Sequence, residues 1–152
     1  MTSGDIPQFG IKLAKYKDRP CAYAVVFNEE GRLLVLTVGK VIYNRDVTYH
    51  LPGGGIDSSE DPEVAVIREA MEEAGCEITD LEYIGKASEY FTETSTTGSV
   101  NKLGIFYKAR MATIDPTKKV EADHEVCWLT PEEFLNSASG EFQKWAVKKV
   151  LN

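Results

Sequence analysis

The chain has 152 residues, enough for one domain that buries roughly 70% of the surface its unfolded form exposes. A net charge of −7, from 24 acidic against 17 Lys and Arg residues, speaks against a nucleic-acid polymer as partner, because such binding rests on clustered basic side chains. A free nucleotide is still allowed, since a bridging cation can seat its phosphates on an acidic protein.

At 43% hydrophobic and 27% charged residues, with no apolar run near the ~20 residues of a membrane span, a soluble protein with no membrane partner is expected. Met1 to Gly10 lacks a basic start followed by an apolar stretch and a small-residue cleavage site, so the cytoplasm is the expected compartment. Cys21, Cys76 and Cys127 are odd in number and widely spaced. They fit neither a disulfide framework nor a zinc knuckle and read as small buried or half-buried residues.

In chain order, Cys21 to Phe27, Asn28 to Gly31 and Arg32 to Val38 read as strand, tight turn and strand. Val47 to Leu51 reads as a short strand entering Pro52-Gly53-Gly54-Gly55, where a loop is expected. Asp61 and Pro62 then form a helix start, a capping carboxylate followed by proline, and Gly75 supplies the stop, giving a helix from Pro62 to Ala74. Leu81 to Glu89 and Lys102 to Met111 read as strands around a polar loop from Phe91 to Ser99. A short strand, Glu125 to Leu129, precedes a capping-box helix start at Thr130 to Glu133, and Phe142 to Leu151 closes the chain as an amphipathic helix. Interspersed strands and helices in one unit, with no linker or repeat, favour a single α/β domain spanning residues 1–152, a mixed sheet covered by helices.

The informative segment is Leu51 to Ile78, LPGGGIDSSEDPEVAVIREAMEEAGCEI. At ~100° per residue, Val64, Ile67, Ala70, Met71 and Ala74 gather on one side of its helix, the expected core face, and Glu69, Glu72 and Glu73 on the other. Like charges at i,i+3 and i,i+4 repel by about 0.2–0.5 kcal/mol per pair. A hard divalent cation would offset that, since magnesium joins carboxylates, waters and substrate phosphates in one shell.

The same segment resembles the Nudix signature: G, five residues, E, seven residues, then R-E-U-x-E-E-x-G-U, where U is bulky and aliphatic. Gly54, Glu60, Arg68, Glu69, Glu72, Glu73 and Gly75 meet its fixed positions. Seven such matches at fixed spacing would arise by chance on the order of once in a million chains. Ala70 and Cys76 depart from the pattern at the U sites, but both are small and apolar.

The resemblance implies a Nudix fold, a mixed β-sheet sandwiched between α-helices (α/β/α). It also implies hydrolysis of a pyrophosphate bond in a nucleoside diphosphate linked to another moiety, with Mg2+, or Mn2+ in its place, as cofactor. The substrate would be a small-molecule nucleotide or related diphosphate. Family members are often dimers, so a homodimer is among the implied states. By the same resemblance Glu72 and Glu73 are the principal metal ligands, Glu69 is a ligand or positions water, and Arg68 orients the carboxylates with Glu60 as its partner. Gly53, Gly54 and Gly55 bend the chain beside the metal and the substrate.

A further ligand or base from outside the box is sought at Glu121 first, then at Glu125 and Glu93. His50, His124, Arg45 and Lys102 read as surface or packing residues, and Tyr43, Tyr49, Tyr90, Phe91 and Trp128 as core aromatics before stacking platforms. Thr92 to Thr97 has the polarity of a loop over a pocket. Gly39-Lys40 lacks the upstream glycine of a P-loop and takes no role.

A non-catalytic nucleotide- or metabolite-binding module is the alternative, opposed by retention of every box carboxylate. An isomerase of isoprenoid diphosphates would require cysteine and glutamate machinery that the sequence does not display. No SQPWPFPxS-like run follows the box, and Phe91 stands where a proline is associated with ADP-ribose, so the substrate within the class stays open.

Overall fold

In the computed structural model, residues 5–38, 48–92, 98–121 and 124–152 are described. Arg45, Tyr43, Gly39, Lys40, Glu93 and most of the Thr92 to Thr97 loop lie outside them. The strands are β1 (Gln8–Phe9), β2 (Lys17–Phe27), β3 (Leu33–Val38), β4 (Thr48–His50), β5 (Gly53–Gly55), β6 (Cys76–Phe91), β7 (Val100–Ile114) and β8 (His124–Leu129). The helices are α1 (Pro62–Ala74), α2 (Pro131–Leu135) and α3 (Glu141–Leu151).

One mixed sheet runs β1-β6-β7-β2-β3-β4, with β5 added to β2 and β8 added to β3. The β2·β7 and β1·β6 pairs are parallel and the others antiparallel. Alternation along the strands sorts side chains to two cores. Ala22, Ala24, Val26, Leu34 and Leu36 meet Ala65, Val66, Ala70 and Ala74 of α1 on one face. Cys21, Tyr23, Val25, Leu33 and Val35 meet Phe134 of α2 and Phe142, Ala146 and Val147 of α3 on the other. Helices on both faces explain why β2 buries six consecutive residues, Cys21 to Val26. Among the described residues no helix is long and apolar enough to cross a membrane.

Four expectations change. Gly53 to Gly55 is a strand rather than a loop, paired with Tyr23, Ala22 and Cys21. A Cβ on Gly53 would stand 2.2 Å from the Ala22 carbonyl oxygen, and its φ of +148° is closed to other residues, so only glycine lets the segment lie this close to β2. The strands around the polar loop are longer than expected, because β6 and β7 pair through register shifts at Glu77/Ile78, Thr79/Glu82 and Tyr83/Gly85.

The core face of α1 is also turned. Ala65, Val66, Ala70, Glu73 and Ala74 are buried, while Val64 and Ile67 are 54% and 41% exposed. Ala70 and Ala74 of the expected face are buried, but small residues let the helix sit close to the sheet, and the buried side turns toward Ala65, Val66 and Glu73 and away from Val64 and Ile67. Pro62 starts the helix as expected, but Asp61 makes no side-chain cap bond. Gly75 ends it in the left-handed conformation, its N–H donating to Ala70 and Met71 carbonyls. The expected capping box is present at Thr130 and Glu133.

The strand pairings create the opening for a site. Beside their turn, β2 and β3 pair at Phe27↔Leu33. Further along, β2 takes β5 as partner, while β3 takes β4 and β8. The sheet forks, and a cleft of about 680 Å³ lies in the fork, lined from β2, β4, β5 and β8 and from the α2–α3 connection.

Candidate active site

Arg68 organises the outward side of α1. Its Nε donates to Glu60 Oε2 at 2.8 Å and an Nη donates to Glu60 Oε1 at 3.0 Å, a two-point clamp between the helix and the loop before it. The other Nη donates to Glu69 Oε1 at 3.1 Å and Glu72 Oε2 at 3.2 Å. One guanidinium thus gathers the carboxylates of Glu60, Glu69 and Glu72, with exposed Asp57 also 3.5 Å from it. Its hydrogen bonds hold the Glu60 carboxyl down at about 2.

Glu121 joins this side from a distant part of the chain. The Val120 and Glu121 N–H groups both donate to the Glu72 carbonyl, at 2.8 and 3.0 Å, which pins the segment to the last turn of α1. Carboxylate oxygens of Glu69, Glu72 and Glu121 then lie within 4.8 Å of one another. Burial raises the Glu69 pKa, with Arg68 opposing the rise and the Glu72 and Glu121 charges adding to it. Glu69 also abuts the cleft wall, since a Cβ on Gly54 would stand 3.2 Å from its carboxyl group.

Glu73 does not converge with Glu69 and Glu72. It sits on the buried face of α1, 3% exposed, and lines the cleft. Its Oε1 accepts from the Gly53 N–H at 2.9 Å, and its Oε2 lies 3.4 Å from His124 Nε2. Burial pushes its pKa up to about 9 against the opposing Gly53 hydrogen bond.

His50 and His124, read from the sequence as surface or packing residues, both line the cleft beside Glu73. Their rings meet edge to face at 5.3 Å. His50 Nδ1 bonds the Leu51 carbonyl at 2.8 Å, and burial lowers its pKa to about 4. His124 Nδ1 lies 3.0 Å from Glu121 Oε2, so His124 joins the two carboxylate groups.

Lys102 also lines the cleft instead of pointing to bulk solvent, with Nζ 4.8 Å from the Phe91 ring centre. Tyr49 and Phe91 contribute to the same wall. Tyr90 instead pairs with Tyr16, Trp128 packs against the α1 core, and Glu125 is exposed on β8 outside both carboxylate groups. The cysteines are free, with Cys21 and Cys76 buried and Cys127 half-buried.

Three cleft residues carried no local signal. Arg19 lies against Gly55, Glu89 accepts from the Phe142 N–H at 2.9 Å, and Gln143 accepts from the Leu51 N–H at 2.7 Å. Their shared location depends on long-range strand and helix placement. A hydrogen-bonded polar residue at a helix start or on a strand looks the same in sequence wherever it faces.

The family model of the NUDIX domain matches residues 17–149. The chain belongs to the Nudix family. An RNA pyrophosphohydrolase of Cereibacter sphaeroides is 35% identical over 74 residues, covering 49% of this chain and 44% of that protein. One of Wolbachia pipientis is 32% identical over 131 residues, covering 86% and 59%. The chain thus spans about half the length of the curated relatives it matches. A Nudix hydrolase from Nitrosomonas europaea shares the fold with a TM-score of 0.72 at 16% identity, over 89% of each chain. A MutT Nudix hydrolase from Burkholderia pseudomallei gives 0.65 at 22% identity, over 88% of this chain and 98% of its own. In this Nudix protein the signature helix is α1, and β5 is the glycine segment that precedes it.

Proposed function

We propose that the protein is a divalent-metal-dependent hydrolase that cleaves a pyrophosphate bond in a nucleoside diphosphate linked to another moiety. The observation that carries this reading is the cluster of Glu69, Glu72 and Glu121 oxygens beside a cleft that also presents Arg19 and Lys102. Hard oxygen donors close together suit Mg2+ or Mn2+, so the residues fit such an ion. Glu69, Glu72 and Glu121 would hold it, with Glu73 adjoining from the cleft side of the same helix turn. A bound ion would neutralise phosphate charge and activate water for attack on phosphorus.

The chain's own groups supply the rest. Arg68 holds Glu69 and Glu72 in register while Glu60 fixes the guanidinium. Arg19 and Lys102 offer positive charge to the anionic groups of the substrate. Tyr49 and Phe91 offer ring faces for a base or another planar group. The β5 glycines let substrate approach the backbone with no side chain between.

The names of the curated relatives make the 5′ end of an RNA a second substrate class, bound through its terminal phosphates. The charge of −7 favours recognition of the terminal nucleotide over contacts along the polymer. A turnover screen decides between these. It should include nucleotide sugars, ADP-ribose, dinucleoside polyphosphates, nucleoside triphosphates and a 5′-triphosphate oligoribonucleotide, with and without Mg2+. Release of phosphate, pyrophosphate or a nucleoside monophosphate only with the metal is the expected result. Binding without cleavage across the panel would leave the reading of a non-catalytic module.

A further inference from the structure

A second cation site, chemically distinct from the carboxylate cluster, is built into the cleft. A ring nitrogen of His50, a ring nitrogen of His124 and a carboxylate oxygen of Glu73 lie within 4.8 Å of one another. These are the chain's two histidines, brought to one point from β4 and β8 on either side of β3.

Each of the three has one polar atom already held by a neighbour. His50 Nδ1 bonds the Leu51 carbonyl, which fixes the tautomer with Nδ1–H and leaves Nε2 as the nitrogen with a lone pair. His124 Nδ1 lies 3.0 Å from Glu121 Oε2 while Nε2 faces Glu73. Glu73 Oε1 is held by the Gly53 N–H, leaving Oε2 toward the histidine. Imidazoles steadied by a carbonyl or carboxylate on the far nitrogen are the usual surroundings of metal-ligating histidine.

Spacing agrees with the donor chemistry. A tetrahedral ion about 2.0–2.1 Å from its donors keeps them about 3.3–3.4 Å apart. His124 Nε2 and Glu73 Oε2 are already 3.4 Å apart. Two imidazoles and one carboxylate favour a borderline first-row ion over magnesium, which prefers oxygen and retains its waters.

We propose that His50, His124 and Glu73 form a binding site for a zinc-class divalent cation, with its remaining coordination position open to the cleft. The inference concerns cation binding alone and stands whether or not the pyrophosphate reading holds. His124 would connect this site to the carboxylate cluster through Glu121.

The test uses the full chain without a histidine tag, titrated with Zn2+ in millimolar Mg2+ and followed by calorimetry and imidazole 15N NMR. One Zn2+ per chain should bind and shift the Nε2 signals of both histidines, and Mg2+ alone should not. Losing a partner that merely orients a ligand costs about 10- to 100-fold in affinity, so His50→Gln and His124→Gln should each lose at least about 100-fold. The Glu69→Gln/Glu72→Gln double variant should retain zinc binding within a few-fold while any magnesium-dependent turnover is lost, which separates this proposal from the hydrolase reading. No zinc uptake over magnesium, or uptake with both imidazole signals unmoved, would overturn it. The wild-type spectra decide the matter even if a histidine variant fails to fold.

Discussion

Glu60 and Glu73 are the same residue type on the same helix-and-loop unit, yet their surroundings drive them in opposite directions. Glu60 meets a guanidinium through two hydrogen bonds and is held at about 2. Glu73 is turned into the core face of α1, receives one backbone N–H, and is raised to about 9. The outward side of the helix therefore carries its own charge compensation. The inward side holds a carboxylate that burial keeps above its ordinary range in spite of the Gly53 hydrogen bond, with the His124 ring beside it.

The largest expected effect tests the cluster beside Arg68. Glu72→Gln should lower turnover of the preferred substrate by about 10³-fold, the equivalent of roughly 4 kcal/mol of transition-state stabilisation, with the circular dichroism spectrum unchanged. Full activity would remove Glu72 from the chemistry.

Gly53→Ala attacks the inward side through its backbone donor. The added Cβ would meet the Ala22 carbonyl oxygen and adopt an unfavourable φ, so a loss of about 3 kcal/mol in urea unfolding is expected.

Glu73→Gln sharpens the contrast through pH. A carboxyl whose folded pKa exceeds its ordinary value of 4.5 binds more protons folded than unfolded, so ionising it costs stability. Metal-free wild type should lose melting temperature as pH rises from about 4.5 to about 9, on the order of 5 °C. The variant should lack that component. An identical slope in both proteins would show that Glu73 does not control it.

The smallest effect belongs to the compensated side. Arg68→Lys keeps the charge and loses the planar fork, at a cost of about 1 kcal/mol for a partly exposed pair. Because the carboxylate cluster would then be less well ordered, its activity loss should exceed its stability loss when turnover and unfolding are measured on one preparation.

Local punctuation made α1 readable: Pro62 and Gly75 bound it where the sequence placed them. Its rotation was only partly readable, because counting apolar residues groups Val64 and Ile67 with Ala70 and Ala74, while closeness to the sheet buries those two alanines together with Ala65, Val66 and Glu73. The box itself displayed Arg68 and its carboxylates. The burial of Glu73 arises from β5 lying against β2, a contact between segments whose register no local pattern encodes. For the same reason His50 and His124 look like isolated residues until β3 brings their strands together. The cleft residues Arg19, Glu89 and Gln143 share that dependence on tertiary placement.

The long parallel pairing of β2 with β7 has a kinetic consequence. Asp18 and Asn101, neighbours across it, are 83 residues apart in the chain. During synthesis the apolar run of β2 must wait for β7 to leave the ribosome before the centre of the sheet can close. Contacts this distant slow folding, and they leave a hydrophobic strand open to misassociation in the interval.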